Sequence, residues 1–285
     1  MTRRRFPVGK TLLYVFMSLW VLTTIYPFIW VILNSFKPRG LIRSDTFSLP
    51  IGDKFTLENY VTAFKRVDIG TAYVNSIVIS GAVTVVVMVL AGLAAYAMVR
   101  YSFRLRGFLH SMIIASMMFP VFSTIIPVFR MESSWGIVNT GSIWLTRLSV
   151  VLPQIAGNLS FAIIVLMGFI RSLPVDLEEA AYLEGYNVYQ IFFRIIMPLA
   201  KPSFATVGIF TFLWSYNDLF LQMFFLRSKK FFTITRLLNE ISSQAGTNYG
   251  LMVAAVVMVV IPVLVVYIFL QNYIIKGMTA GAVKG

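Results

Sequence analysis

The residues that could carry proton, metal or phosphate chemistry are few in this chain of 285 residues. It has no cysteine and one histidine, His110, whereas a structural zinc site takes about four nitrogen or sulfur ligands. One acidic residue, Asp218, interrupts a long apolar stretch, where ionisable groups usually mark an ion or proton pathway. The run Gly-Lys-Thr at residues 9–11 resembles the end of a phosphate-binding loop, but Arg4 occupies the position of its first glycine. The sequence therefore predicts neither a metal site nor a nucleotide site, and it gives ion coupling little support.

Four of the eleven acidic residues lie in one polar segment that follows the fourth apolar run. Asp176 with Glu179, and Asn187 with Gln190, have the three-residue spacing of a capping box at a helix start. Gly185 lies between the two pairs and can adopt the left-handed conformation that ends a helix. We therefore predict two short helices joined by a sharp turn. On periodicity alone, such an element is typical of an amphipathic hairpin that anchors two spans at the membrane surface.

Prolines interrupt both this segment and several apolar runs. Pro198 and Pro202 are expected to stop the second short helix, because proline donates no backbone hydrogen bond. Within the apolar runs, the freed carbonyls can be satisfied by neighbouring helices or water, so prolines there predict kinks. These kinks are expected at Pro27, Pro120, Pro127, Pro153 and Pro262.

The composition identifies lipid as the solvent of these elements. Hydrophobic residues make up 58% of the chain and charged residues 12%, whereas a soluble domain carries about 25% charged residues. A helix of roughly 20 apolar residues crosses a bilayer, and strands of a membrane barrel would instead alternate over about ten residues. We predict one all-α domain, a polytopic transmembrane helical bundle with six spans. The predicted spans are residues 12–34, 71–99, 108–130, 148–170, 203–226 and 250–275.

The positive charge is interpreted as a signal of orientation rather than of nucleic-acid binding. The formal net charge is +13, but the basic residues sit between apolar runs and do not form one basic stripe. If both termini are cytoplasmic, each side of the membrane holds twelve Lys and Arg residues, so the totals do not decide. Seven of these residues lie in residues 1–10 and 100–106, close to helix ends, where the positive-inside bias acts. We therefore expect both termini in the cytoplasm.

The spacing within the polar segment is similar to the EAA signature of ABC importer permeases, EAA-x3-G-x9-I-x-L-P. The aligned positions are Glu179, Ala180, Ala181, Gly185, Ile195, Met197 and Pro198. The one departure is Met197 in place of leucine, which conserves volume. The resemblance implies a cytoplasmic coupling helix, in a loop of residues 173–200, that docks in a groove of an ATPase subunit. The residues assigned in this way to ATPase coupling are Glu178, Glu179, Ala180, Ala181, Glu184, Gly185, Ile195 and Pro198.

Shorter motifs extend the resemblance over nearly the whole chain. They are Asn75-Ser76, Ala95-Tyr96-Ala97, Arg100, Phe119-Pro120 and residues 276–285. All are similar to the carbohydrate-uptake class of ABC importer permeases, and specifically to the shorter permease of the maltose-type systems. The resemblance implies a subunit of the bacterial or archaeal plasma membrane that is not itself an enzyme.

The same resemblance implies a set of partners. The chain would pair with a second homologous permease, sit on two ATPase subunits, and receive a sugar from an extracytoplasmic solute-binding protein. Any ATP and magnesium would be bound by the ATPase subunits, with no cofactor in this chain. The physical need for a coupling element is that motion generated by ATP-driven closure must enter the membrane through a rigid part.

The predicted fifth span holds the candidate substrate path. Trp214, Asn217 and Asp218 are three and four residues apart and share one helical face. With Tyr216 they offer aromatic faces for sugar C–H groups and polar groups for hydroxyls. Alternatively, the polar pair satisfies a neighbouring helix near a membrane interface, where Trp and Tyr are common. The sequence leaves both interpretations open.

Residues 276–285 are expected to form a tail after the last span. By resemblance, it contacts partner subunits through Lys276, Gly277, Gly281 and Lys284. The polar loop at residues 228–249 is expected outside the cell, and the resemblance directs it toward the binding protein.

Other functions compete with a sugar importer. An ABC importer permease for another small polar solute is the nearest alternative. An ion-coupled secondary carrier would need ion ligands within the membrane and repeat symmetry. A membrane scaffold that transports nothing belongs to a third class. The EAA spacing speaks against the last two, and co-purification with an ATPase would discriminate them.

Overall fold

The computed structural model describes residues 8–66, 68–245 and 248–282, and this part of the chain contains helices and no β-strand. The first half forms α1 (Val8–Ser35), α2 (Arg39–Ser44), α3 (Glu58–Arg66), α4 (Ile69–Arg100), α5 (Arg106–Ser116), α6 (Val121–Ser134) and α7 (Ile143–Ile170). The second half forms α8 (Asp176–Leu183), α9 (Val188–Ile191), α10 (Met197–Leu199), α11 (Lys201–Asn217), α12 (Phe220–Phe225), α13 (Ile234–Ala245) and α14 (Tyr249–Ala282). The predicted all-α class is confirmed.

Within the described residues, three helices are by themselves long and apolar enough to cross a membrane, in α1, α4 and α7. Each exceeds the roughly 20 residues that a bilayer core requires. The central apolar stretch of α1 has none of its side chains buried within the chain, whereas about a third of the corresponding stretches of α4 and α7 is buried.

The predicted third span, residues 108–130, is two helices rather than one. The axes of α5 and α6 meet at 104°. Proline 120 causes the break, because it has no N–H to donate and disfavours a helical conformation in the residue before it. Pro120 itself adopts an extended conformation and directly precedes α6. A sequence window that counts only apolar residues does not detect this bend.

The predicted fifth span is interrupted as well. A helical segment over Val188–Leu199 meets α11 at 82°, and α11 ends at Asn217, inside the predicted span of residues 203–226. Counting each bent pair as one span gives up to five spans among the described residues. In α14 the described apolar stretch is Tyr249–Val265, which is shorter than a complete span. The count of six spans stays a prediction.

The C-terminal segment differs from the expected tail. The helix α14 runs to Ala282, so Lys276, Gly277 and Gly281 continue the last helix, and Pro262 lies inside that helix. A helix with a proline in its interior is common in membrane bundles, where neighbours satisfy the freed carbonyl. Lys284 lies outside the described residues.

The chain divides into two units, and the first comprises Met1–Asp68 and Leu238–Pro262. In this unit the Lys37 side chain is buried, and it donates hydrogen bonds to the backbone carbonyls of Asp45 at 3.0 Å and Thr46 at 2.9 Å. Burial lowers the pKa of this ammonium group. Asn59 donates to the carbonyls of Ser35 and Lys37. These bonds fix the turn that follows α1.

The second unit comprises Ile69–Leu237 and Val263–Gly285. Its core is the packing of α4 on α7 and α11. On α4 the fully buried face carries residues four apart, Val83, Val87, Ala91 and Ala95. The face of α7 has the same period, at Thr146, Val150, Gln154, Asn158, Ala162, Leu166 and Ile170. Rows of residues four apart form the ridges that interdigitate between packed helices.

Gly92 permits the closest approach in this core. A Cβ atom at this position would lie 2.8 Å from Cζ of Phe204 on α11 and 3.0 Å from Cζ of Phe192. No side chain larger than hydrogen fits there without moving these rings.

Candidate functional site

The predicted coupling loop folds as two short helices with a sharp turn between them. The first, α8, ends in a Schellman motif, in which Tyr186 N–H donates to Ala181 at 3.0 Å and Gly185 N–H donates to Tyr182 at 3.0 Å. Gly185 has φ +82°, the left-handed conformation predicted for it. The expectation that Gly185 ends the first helix is confirmed.

The two predicted capping boxes have different outcomes. The second is present, because the Asn187 side chain accepts from Gln190 N–H and the Gln190 side chain accepts from Asn187 N–H, both at 2.9 Å. The first was predicted wrongly. Val175 precedes α8 with no side-chain cap, and Asp176 lies in the first turn. An acid in the first turn is favoured by the helix dipole even without a cap.

Pro198 and Pro202 were expected to stop the second helix, but neither does. After α9 the backbone forms a π-helical segment, Phe192–Ile196, and then α10, which contains Pro198. The wider π-helical turn is a usual response to a backbone group that loses its normal hydrogen bond. Pro202 lies in the first turn of α11, where its missing N–H is harmless. The helical course therefore bends at Ala200 instead of ending at a proline.

The EAA residues divide between an outer and an inner face. Glu179, Ala180, Glu184 and Gly185 are exposed, and a Cβ atom at Gly185 would meet nothing within 4 Å. Leu183, on the same helix, is 90% exposed. The exposed side of the turn therefore carries an apolar side chain as well as the two acids. The unit therefore leaves space for a Cβ atom at the turn, and the positive φ is what disfavours a side chain there.

The remaining motif residues contribute to packing. Ala181 is buried, Ile195 is half-buried and Pro198 is exposed. Glu178, which the resemblance assigns to ATPase contact, is only 4% exposed. Its carboxylate is bound within the chain by the Arg100 and Tyr96 side chains. The sequence analysis singled out Tyr96, Arg100 and Glu178, but it did not predict that their side chains pair.

A hydrogen bond between tyrosines also joins α8 to the end of α4. The Tyr101 and Tyr182 hydroxyls lie 3.0 Å apart. This hydrogen bond raises the pKa of Tyr182. A tyrosine hydroxyl is protonated at physiological pH even at its ordinary pKa, so it can donate or accept this bond.

The candidate substrate-path residues do not form one surface. Trp214 is 47% exposed and packs edge-on against Phe161, with ring centroids 4.8 Å apart. The Tyr216 side chain is buried, and Asn217 donates to the Leu213 carbonyl of its own helix at 2.9 Å. Of the four predicted residues, Trp214 lines a cavity in the described part of this unit.

That cavity has a volume of about 470 Å³ and lies where α5 and α6 bend away from each other, against α7 and α11. Its lining is mostly apolar and includes the Phe119, Phe161 and Trp214 rings and the Ser116 and Ser160 hydroxyls. The two hydroxyl oxygens lie 2.5 Å apart. Aromatic rings with a few hydroxyls match the mixed surface of a sugar ring.

Asp218 belongs to a polar network instead. Its carboxylate accepts from the Gln154 amide of α7 at 3.0 Å and from Leu221 N–H at 3.1 Å. The side-chain oxygen of Gln154 accepts from the Ser215 hydroxyl at 2.5 Å. Gln222 donates to the Ser215 carbonyl at 3.2 Å, and its own side-chain oxygen accepts from Thr233. The alternative in which Asp218 satisfies a neighbouring helix is the one that the structure supports.

The sequence analysis did not predict a second polar network, which is formed around Asn75. Asn75, in the first part of α4, donates to the carbonyls of Lys230 at 3.2 Å and Phe232 at 3.0 Å. Its side-chain oxygen accepts from Arg147 of α7 at 2.8 Å. The next residue, Ser76, accepts from Ile234 N–H at 2.8 Å. An Asn-Ser pair in an apolar run was the available signal, since buried polar groups require partners.

The chain is similar to known membrane transport proteins. Residues 88–280 match the family model described as binding-protein-dependent transport system inner membrane component. The diacetylchitobiose uptake system permease protein NgcG of Streptomyces coelicolor is 34% identical over 93% of this chain and 86% of its own length. The melibiose/raffinose/stachyose import permease protein MelC of Bacillus subtilis is 31% identical over 91% of each chain.

A solved structure has the same fold. It belongs to a bacterial ABC transporter involved in the import of the acidic polysaccharide alginate, and it matches with a TM-score of 0.81 over 96% of this chain and 99% of that chain. The sequence identity is 23%, so the likeness concerns the fold.

Proposed function

This chain belongs to the family of binding-protein-dependent transport system inner membrane components, and we propose that it is a permease subunit of an ATP-driven importer of a sugar or oligosaccharide. Relatives named for the uptake of diacetylchitobiose and for the import of melibiose, raffinose and stachyose support this substrate class. An importer of another small polar solute is the nearest alternative within the same family.

One observation carries the proposal. The EAA segment forms two short helices around the left-handed Gly185, between the long helix α7 and the helix α11. Its exposed face carries Glu179, Leu183 and Glu184. A rigid, exposed element joined directly to two bundle helices is what an external motor needs in order to move them. We infer that an ATPase subunit covers this face.

The proposed assembly has four kinds of protein subunit. The chain pairs with a second permease, two ATPase subunits and an extracytoplasmic solute-binding protein, and it conducts the sugar. It is not itself an enzyme, and ATP and magnesium bind in the ATPase subunits. A solved structure that matches this fold, with a TM-score of 0.67 and 16% identity, is of an alginate ABC transporter in complex with an alginate pentasaccharide-bound periplasmic protein.

The chain is a multi-pass protein of the inner membrane. We propose that both termini are cytoplasmic, since that orientation places α8 and the dense basic residues on the same side as the ATPase subunits. The cavity beside Trp214 and Phe161 is the proposed part of the substrate path within this subunit. Sugars bind in such places by stacking on aromatic rings and bonding to hydroxyl groups.

Reconstitution tests this function. The chain, its second permease, the two ATPase subunits and the binding protein are placed together in liposomes with ATP on the ATPase side, and uptake of a labelled disaccharide is measured. We expect uptake that requires ATP and stops when this chain is omitted. The purified chain alone should hydrolyse no ATP. Uptake driven by an ion gradient without ATP would overturn the proposal.

A further inference from the structure

Glu178 lies on a different face of α8 from the exposed residues of the EAA segment. It is 4% exposed, whereas its neighbour Glu179 is exposed. Successive helical residues point about 100° apart, so two adjacent acids can serve different surfaces. A buried carboxylate requires hydrogen bonds and a countercharge. The partners of Glu178 therefore show what its side of the helix is bound to.

Both oxygens of the Glu178 carboxylate are bound by the last turn of α4. Arg100 Nε lies 2.5 Å from Oε1, and Tyr96 Oη donates to Oε2 at 2.7 Å. The ion-paired side chains are 10% and 6% exposed. Arg100 Nη2 also donates to the Leu173 carbonyl at 2.9 Å, three residues before α8 begins. One guanidinium group thus holds both the first turn of α8 and the chain that enters it.

Aromatic contacts extend this attachment. The Tyr96 ring packs against Phe192 of the π-helical segment, with centroids 5.6 Å apart, and edge-on against Tyr101 at 5.9 Å. Tyr101 in turn reaches Tyr182 in the last turn of α8. The end of α4 therefore holds α8 near both of its ends and also contacts the segment that follows α9.

We propose that Glu178, Arg100 and Tyr96 form a clamp that makes α8 move as one rigid body with α4. The proposal rests on the proposed function, because it assumes that an ATPase subunit displaces α8. In this role Glu178 is a positioning residue inside the permease and not an ATPase contact. Since α4 packs on α7 and α11 at the centre of its unit, a displacement of α8 reaches the bundle directly.

The chemistry of the clamp predicts how it responds to substitution. In Glu178→Gln the side chain keeps its shape, but the buried guanidinium group loses its countercharge, which is strongly unfavourable in a site with little water. In Arg100→Lys the charge remains, but one ammonium group replaces a planar fork that bonds two acceptors. We therefore expect a larger effect from Glu178→Gln than from Arg100→Lys.

The first measurement is sugar uptake per ATP hydrolysed by the complete complex in liposomes. For Glu178→Gln we expect this ratio to fall at least about tenfold, since one partner of a buried ion pair is lost, while the complex still assembles and hydrolyses ATP. The matched control is Asp176→Asn, which neutralises an exposed acid in the same turn and should leave the ratio unchanged. A normal ratio in Glu178→Gln would overturn the clamp.

The second measurement follows the distance between α8 and α4 directly, first with the clamp intact and then after Glu178→Gln. Because the chain has no cysteine, spin labels can be attached through Leu177→Cys on α8 and Leu90→Cys on α4, both exposed positions. We expect the same distance between labels in the nucleotide-free and the ATP-bound complex, and a broad, state-dependent distance after Glu178→Gln. A distance that changes in the otherwise unaltered protein would contradict the rigid connection.

These two measurements separate the clamp from the proposed function. A complex that imports no sugar would overturn the function, and the distance measurement would still decide whether α8 and α4 move together. A complex that imports sugar normally with Glu178→Gln would leave the function intact and remove the clamp.

Discussion

Two of the places at which the unit that begins at Ile69 reverses or breaks its helices are built in opposite ways. At Gly185, between α8 and α9, the turn is made by the backbone itself, with φ +82° and two bonds of the Schellman motif. At Asp218, between α11 and α12, the break is held by side chains of α7 and the residues around it. A Cβ atom at Gly185 would meet open space, whereas the Asp218 network is largely buried.

Substitution is therefore limited in different ways at Gly185 and at Asp218. The unit leaves space for a Cβ atom at Gly185, so a substitution there is opposed first by the backbone conformation and, in the proposed assembly, by a partner. Asp218 is constrained by groups that would lose their own hydrogen bonds if it changed. Substitutions at Gly185 should therefore change coupling with normal protein abundance. Substitutions around Asp218 should change abundance with normal transport per molecule.

The largest effect is expected for Gly185→Phe. A residue with Cβ in the left-handed conformation costs roughly 1–2 kcal/mol, and the ring would project from the face proposed to contact an ATPase subunit. We expect sugar uptake per complex to fall more than tenfold, about 1.4 kcal/mol or more, while membrane abundance stays near normal. Uptake and abundance are measured on the same membranes.

Gly185→Asn is the matched control, because asparagine tolerates the left-handed conformation and adds a small polar group. It should retain most coupled uptake. Equal losses in both variants would show that the turn tolerates no side chain at all. Low abundance with normal uptake per molecule in Gly185→Phe would identify the segment as a membrane-surface anchor instead of a coupling element.

An intermediate effect is expected for Gln154→Leu, which acts on the other break. The change removes the donor to Asp218 and the acceptor of Ser215. A buried polar group that loses its partner costs about 1–3 kcal/mol. We expect a lower thermal midpoint and reduced abundance of the assembled complex, measured by size-exclusion chromatography after heating.

Ser160→Ala is the control on the same helix, since it loses one hydrogen bond while its partner, the Ser116 hydroxyl, keeps its bond to the Ile113 carbonyl. Its thermal midpoint should match that of the unaltered protein. A complex with Gln154→Leu that is equally stable but transports poorly would reverse the comparison, and it would place the network in the substrate path.

Much of this arrangement was predictable from local rules. The left-handed Gly185 and the capping box of Asn187 and Gln190 follow from interactions within about six residues of the chain, and the sequence indicated both. The length and apolar character of α4 and α7 were predictable for the same reason, because the bilayer thickness sets a minimum length.

The features that the sequence did not predict have two causes. Some depend on contacts between distant residues, and others come from local patterns that fit more than one structure. Arg100 and Glu178 are 78 residues apart, and spacing within a motif does not reveal a partner on another helix. The 104° bend at Pro120 was expected only as a kink, because a proline in a membrane helix permits both a slight kink and a complete break. Asp176 was misassigned as a cap because acids are favoured both at the cap and in the first turn.

The smallest effect is expected for Asp218→Asn. The asparagine oxygen can accept from Leu221 N–H or from Gln154 as the carboxylate does, so most of the network survives the loss of charge. An ATP-driven transporter also needs no titrating carboxylate in its path. We expect uptake to change less than tenfold, with no proton or sodium dependence in either protein. The measurement is uptake at constant ATP with and without a membrane uncoupler. Uptake abolished by the uncoupler would favour an ion-coupled carrier. Uptake lost in Asp218→Asn at normal abundance would show that the carboxylate acts in transport. That result would contradict the purely structural role that its contacts with Gln154 and Leu221 indicate.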